Sequence, residues 1–256
     1  MPACCRNHGR QALAMHMFKT SVMTILALVL YCTACYAGER AGREGSLEAE
    51  AELGIVSTTG NTDTQSLNGR FSISSEGARW RHEADLKGHY ASDSSKTTAQ
   101  RLVVGAKTEY KRSEVDYCFA TLRYEDDRFS GYDYRVIATA GYGRRFFPSK
   151  ATTLNVEGGP GYRYSREHED GTERDVIMRG AAIFEWRLSG SATFTEEVSI
   201  EAGERGKVIE SVASLSARIN SNLALKTSYT VRHNTKVPQD TRKTDTVTAV
   251  TLVYTF

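Results

Sequence analysis

The sequence predicts a closed, up-and-down antiparallel β-sheet of twelve strands, a transmembrane β-barrel that is apolar outside and polar inside. Three observations predict it. From Ser46 onward the chain breaks into segments of about ten residues with alternating polarity, separated by Gly, Ser, Asn and Asp clusters. Single segments carry one apolar and one heavily charged face. The last eleven residues, Thr246 to Phe256, alternate strictly and stop on an aromatic residue. A chain that ends inside a strand calls for a closed sheet.

Residues 1–37 read as a cleaved leader. The apolar stretch Val22 to Tyr31 follows Lys19 and precedes Cys32-Thr33-Ala34-Cys35-Tyr36-Ala37, the order of a basic region, a short hydrophobic region and a small-residue cleavage site after Ala37. Met15 and Met17 are alternative starts that give a leader of ordinary length. Lipidation of Cys35 lacks the aliphatic residue three positions earlier. The leader holds Arg6, Arg10 and Lys19 and no acid, so the 33 basic and 31 acidic residues of the full chain become a near-neutral mature domain over 38–256. Nucleic-acid binding has no electrostatic support in such a domain. Four of the five cysteines fall in the leader, leaving Cys118, which excludes a disulfide framework and a cysteine metal site.

The expected strands run over 46–57, 65–75, 79–91, 98–111, 115–125, 131–145, 151–164, 174–188, 191–202, 207–219, 222–233 and 244–256. The third places Trp80, His82, Ala84, Leu86, Gly88 and Tyr90 on one face and Arg81, Glu83, Asp85, Lys87 and His89 on the other. In the eighth, Val176, Met178, Gly180, Ala182, Phe184, Trp186 and Leu188 oppose Asp175, Arg179, Glu185 and Arg187. Lipid outside and a polar lumen inside account for both faces. Glu196, between Phe194 and Val198, breaks the outward pattern and implies a rim position or a β-bulge.

The ending Tyr254-Thr255-Phe256 resembles the terminal strand of bacterial outer-membrane barrels, which implies that both chain ends face the periplasm. Turn lengths agree with that orientation. Tight turns are expected at Ser75-Glu76-Gly77-Ala78, Phe147-Pro148-Ser149-Lys150, Ser189-Gly190 and Asn220-Ser221, whereas longer charged loops follow odd strands, notably Tyr164 to Thr172 and His233 to Asp245. Aromatic girdles follow from parity, with Trp80, Tyr110, Tyr142, Trp186 and Tyr254 at the periplasmic rim and Tyr90, Tyr124, Tyr132 and Tyr162 at the outer rim. Tyr117 is the tyrosine that departs from the outward parity.

Several stretches carry a closer likeness: Ala51-Glu52-Leu53-Gly54, Ser57 to Thr64, Arg79-Trp80-Arg81-His82-Glu83, Arg123 to Tyr132, Ala140-Gly141-Tyr142-Gly143, Glu157 to Arg163, Glu185-Trp186-Arg187-Leu188 and Ser228 to Asn234. Across nearly the whole mature chain these resemble a family of uncharacterised outer-membrane proteins labelled salt-induced. The resemblance implies location and fold, and it carries no established reaction or ligand.

Each candidate for chemistry competes with a simpler reading. Thr59-Gly60-Asn61-Thr62-Asp63 can offer amides and side chains to an ion, but Gly-Asn is also hairpin chemistry, which is favoured. Asp126, Asp127 and Arg128 suggest a divalent ion, yet adjacent strand residues point to opposite faces. The run Arg166-Glu167-His168-Glu169-Asp170 lacks a second histidine and reads as a solvated loop. His82 faces outward, where a barrel lipase would place a catalytic histidine. Its expected neighbours Phe71, Ile73, Thr108 and Tyr110 include no serine.

The better lead is the inward set: Glu50, Glu52, Arg70, Arg81, Glu83, Asp85, Lys87, Lys107, Glu109, Arg123, Arg135, Glu157, Arg163, Arg179, Glu185, Arg187, Glu210, Arg218, Lys226 and Arg232. These either line a narrow passage or pair across the lumen, since twelve strands lie between the filled barrel of about 8 and the open channel of about 16. The expected function is therefore a structural or narrow solute pore of the envelope, without cofactor, metal or enzymatic centre. A lipid-processing enzyme and a soluble periplasmic barrel with an apolar ligand are the alternatives. Expected partners are outer-membrane lipid and lipopolysaccharide, small solutes, and the barrel-assembly machinery through Tyr254 and Phe256.

Overall fold

The computed structural model describes residues 46–59, 64–93, 96–127, 132–167, 171–237 and 242–256. Their strands are β1 (Ser46–Thr59), β2 (Thr64–Glu76), β3 (Trp80–Asp93), β4 (Lys96–Lys111), β5 (Asp116–Asp127), β6 (Tyr132–Ser149), β7 (Thr152–Glu167), β8 (Gly171–Arg187), β9 (Ala192–Gly203), β10 (Gly206–Arg218), β11 (Leu223–Asn234) and β12 (Thr244–Thr255). Every strand pairs antiparallel with its chain neighbours, and β1 pairs with β12 to close the barrel. The seam sets Ala51 opposite Tyr254 and Leu53 opposite Leu252, so the alternating C-terminal segment is the closing strand. Closure leaves no free edge.

Alternation fixes the two faces. On β12, Thr251 is 3% exposed while its neighbour Leu252 is 47% exposed. Around the barrel Phe71, Leu86, Leu102, Leu122, Val176 and Leu215 are similarly exposed. Apolar exposure on that scale is costly in water and favourable in hydrocarbon. Rings gather toward the two ends. Trp80 stacks on His82 with centroids 5.9 Å apart near the termini, and Tyr124, Tyr134 and Tyr164 form a stacked ladder with spacings of 6.1 and 6.0 Å at the other end.

All twelve expected segments are strands, and most differences lie at their ends. β1, β3, β5 and β7 each run two or three residues beyond their expected ends, and β8 begins three residues early. Backbone pairing there continues past the apolar band, where side-chain polarity carries no alternation signal. β6 also continues to Ser149 instead of turning at Phe147. A register shift between Phe146 and Ser149 takes Pro148, which has no N–H to donate, out of the ladder, and the turn falls at Lys150 and Ala151.

A second shift corrects an expectation. Tyr132 was expected in the outer girdle, but it is buried on the lumen side. Register shifts on both edges of β6 separate Tyr132 from Tyr134, and a one-residue slip reverses which face a side chain occupies. Glu196 needs no such shift. The β8–β9 and β9–β10 pairings run through it, opposite Phe184 and Ala213, and its carboxylate accepts a hydrogen bond from the Ser211 hydroxyl at 2.6 Å on the outer face.

Candidate functional site in the barrel lumen

The inward charges converge on Glu125 of β5. This carboxylate is buried, with Arg123 Nε 3.0 Å from Oε1, Arg101 Nη2 3.4 Å from the same oxygen, and Arg232 Nη2 3.5 Å from Oε2. The Tyr132 hydroxyl donates to Oε2 at 3.3 Å, and the guanidinium of Arg135 stacks on the Tyr132 ring 3.9 Å from its centroid. The inward turn of Tyr132 therefore supplies a donor to the hub and an aromatic face to a neighbouring arginine.

Two of these contacts span the lumen. β11 lies diametrically opposite β5 in the ring, so Arg232 reaches Glu125 across the barrel. Arg123 Nη2 donates to Glu201 of β9 at 2.5 Å, four strands away. Arg232 also lies 3.8 Å from Glu210 on its own neighbour β10. Two side chains can meet in this way only where opposing walls approach closely. The lumen is thus bridged by alternating positive and negative groups.

A second cluster fills the wall of β4 to β8 nearer the termini. Lys107 bonds to Glu157 and lies 3.0 Å from Glu109, which also accepts from Arg145 Nη2 at 2.5 Å. The buried Tyr117 donates its hydroxyl to Glu157 at 2.9 Å and carries the Arg145 guanidinium over its ring. Its departure from the outward parity is therefore a lumen position. Gly143 makes room for it, because a Cβ there would fall on the Tyr117 ring.

Near the opposite end, Arg163 Nη2 donates to Asp175 at 2.6 Å, and Asp175 accepts the backbone amides of Glu204 and Arg205 at 3.2 and 3.3 Å. That carboxylate fastens the tight β9–β10 turn to β8, and the turn returns through Gly206 at φ +116°. On the seam side Glu52 joins Arg70 at 3.5 Å and Lys226 at 3.1 Å. Beside them a cavity of about 220 Å³ opens between β1 and β9 to β12.

The expected inward residues all fall on the lumen parity of their strands. Glu125, Glu201, Arg101, Arg145, Tyr117 and Tyr132 belong to the networks but were not singled out as inward residues from sequence. The first five were legible, since each lies an even number of positions from an identified inward residue or on the polar face of its own segment. Tyr132 was hidden by the bulge.

The other candidates do not gather into a centre. Asp127 lies on the face of Glu125, with Arg101 Nε 3.8 Å away, while Asp126 occupies the opposite face. Arg166 lies 3.9 Å from Asp133 across a surface pair. Residues 60–63, Arg128, His168, Glu169 and Asp170 lie outside the described residues. His82 Nδ1 shares a hydrogen bond with Thr108 Oγ1 at 2.8 Å, and His233 Nδ1 makes the same 2.8 Å contact with Thr244 Oγ1 in another direct cross-strand pair. Recurrence at two unrelated places marks it as a cross-strand contact. Ser75, and not Phe71 or Ile73, stands directly opposite His82 on β2, which corrects the expected serine-free surroundings; the two side chains make no hydrogen bond among the described residues, and the His82 ring is held by Thr108. Among the described residues the inward apolar side chains, such as Val103, Phe119, Ile137 and Ile177, are interspersed with the ion pairs, whereas a soluble barrel with an apolar ligand would present a predominantly apolar interior.

A family match to proteins of unknown function, DUF481, spans residues 51–256, which is β1 to the C-terminus. The chain belongs to the DUF481 family. A relative, the uncharacterised protein YdiY of Escherichia coli strain K12, is 29% identical over 216 residues, covering 82% of each chain. Among solved structures, this DUF481 barrel is similar to the NanC porin, with a TM-score of 0.58, 10% identity and coverage of 80% of this chain and 98% of the other. It is also similar to the translocator domain of the autotransporter NalP from Neisseria meningitidis, with a TM-score of 0.54, 12% identity and coverage of 93% and 98%. A porin and a translocator share this architecture at such low identity. The likeness is therefore one of fold, and activity has to be argued from the lumen.

Proposed function

We propose that this DUF481 protein is a narrow, normally occluded pore in the outer membrane of a Gram-negative bacterium. The observation that carries the reading is the pair of cross-lumen contacts, Arg123 to Glu201 and Arg232 to Glu125. The outward apolar band supports insertion in lipid, and the polar lumen supports passage of water-soluble species once the bridges part. A barrier made of paired charges differs from an apolar constriction, because dissolved ions reach its partly exposed arginines, Arg101 and Arg123, although they screen the buried Glu125 less than a surface group. That difference is the physical basis for a link to salt or osmotic stress.

Conductance of refolded protein in planar bilayers tests the reading. At low salt the expected record is a closed baseline with brief openings, and the open fraction rises with ionic strength while the bath conductivity is accounted for. A steady, wide conductance independent of salt contradicts occlusion. Complete silence across the salt range, from protein shown to be folded and inserted, contradicts the pore.

A further inference from the structure

The cavity beside the seam has a chemical polarity of its own. One backbone-paired row crosses four strands there: Glu52 on β1, Val253 on β12, Ala224 on β11 and Arg218 on β10. Acid and base stand at the ends of the row with two short apolar side chains between them. Three inter-strand steps put the terminal Cα atoms about 14 Å apart along the wall. Their long side chains narrow that gap over the short floor, and Glu50, two residues before Glu52, lines the same space. Glu52 is committed to Lys226 at 3.1 Å and Arg70 at 3.5 Å. Glu50 and Arg218 make no ion pair among the described residues, so the cavity keeps one carboxylate and one guanidinium uncommitted. Ser191, Thr193, Ser216 and Thr255 complete its polar lining.

The opposite wall explains why the space lies here. Tyr117, Lys107, Glu157 and Arg145 occupy the β4 to β8 side, which displaces the open volume toward the seam. At about 220 Å³ the cavity holds the equivalent of about seven waters, well below the space a drug-sized ligand needs.

We infer that this cavity is a binding subsite for a small zwitterionic solute, whose ammonium meets Glu50 and whose carboxylate meets Arg218. The inference rests on the pore reading for its role, as a station on the periplasmic side of the cross-lumen bridges, but its binding chemistry stands without it. A carboxylate and a guanidinium on opposite sides of one space select a solute carrying both charges, since a solute with one charge leaves the other protein group unmet.

Calorimetric titration of folded protein in detergent micelles with 4-aminobutanoate, butanoate and butylammonium tests it at low salt. The expected result is saturable binding of 4-aminobutanoate at least tenfold tighter than of either singly charged analogue. Arg218→Gln and Glu50→Gln each remove that preference, Ser216→Leu blocks binding by filling the space, and Lys207→Ala leaves it unchanged. Indistinguishable affinities for the three probes, or a zwitterion preference that survives both Gln variants, overturns the site. Binding without conductance would retire the pore and keep the subsite, whereas conductance without selective binding would do the reverse.

Discussion

Replacing Glu125 by Gln removes one negative charge from the centre of the bridge while keeping its shape. Three guanidinium groups, those of Arg101, Arg123 and Arg232, lie within 3.5 Å of this carboxylate, whose side chain is 2% exposed. Removing one partner of a fully buried ion pair costs about 3–5 kcal/mol. Here Arg101 and Arg123 retain 29% and 31% side-chain exposure, so lumen water shares their charge. A loss of about 1–3 kcal/mol is the expected net effect. The same substitution leaves Arg101, Arg123, Arg135 and Arg232 facing Asp127, Glu201 and Glu210, so a balanced constriction gains one net positive charge. The conductance consequence is a larger open fraction together with a preference for anions.

Urea unfolding of folded protein in lipid vesicles reads the first consequence, and the reversal potential across a potassium chloride gradient reads the second. Pairing Glu125→Gln with Arg232→Gln should restore part of both, because the second change removes the charge left unmet on the opposite wall. Wild-type stability combined with an unchanged reversal potential and open fraction would refute the claim that these side chains form the barrier.

The remaining predictions concern packing, the outer face and the seam. Gly143→Ala places a methyl group on the Tyr117 ring, and the expected loss of about 1–3 kcal/mol is measurable as a lower unfolding midpoint in urea. Glu196→Leu exchanges an outward carboxylate for an apolar side chain and should raise the same midpoint, while Ser211→Ala, which strips its 2.6 Å donor, should lower it by about 1 kcal/mol. Deletion of Phe256 removes the Phe256 amide bond to the Ala49 carbonyl at 2.9 Å and the ring packed edge-on against Tyr254, yet leaves the paired seam from Glu50 to Thr59. Refolding in detergent should therefore persist while assembly in cells falls, as measured by heat-modifiable migration; equal insertion of truncated and intact chains would remove any role for Phe256 in assembly.

Strand existence and face were legible because both follow from a period of two, and the seam followed because an alternating terminal strand needs a partner. The pairing across the lumen was not legible. Parity puts Arg123 and Arg232 inside without saying at what height each stands, and that height depends on the stagger accumulated around the whole ring. Arg123 meets Glu201, 78 residues later, only because closure brings β5 and β9 to one level. Tyr132 shows the complementary failure. Its even position matched the outward tyrosines, and the bulge that turns it inward leaves no break in the polarity pattern around Asp133 and Tyr134.

These two gaps meet at Glu125. The bulge delivers the Tyr132 hydroxyl to one of its oxygens, and the stagger delivers Arg232 from the far wall to the same oxygen, at 3.3 and 3.5 Å. A local irregularity and a global closure condition thus act on one atom, Oε2, at the lumen's narrowest chemistry. Replacing Tyr132 by Phe keeps the bulge and the ring beneath the Arg135 guanidinium but removes the hydroxyl, which leaves Arg232 without its tyrosine-supported acceptor. The barrel would keep its strands, since backbone pairing is untouched, and the occlusion would weaken. A Tyr132→Phe variant that folds and stays as closed as the parent would show that the hydroxyl the bulge delivers has no part in holding the bridge.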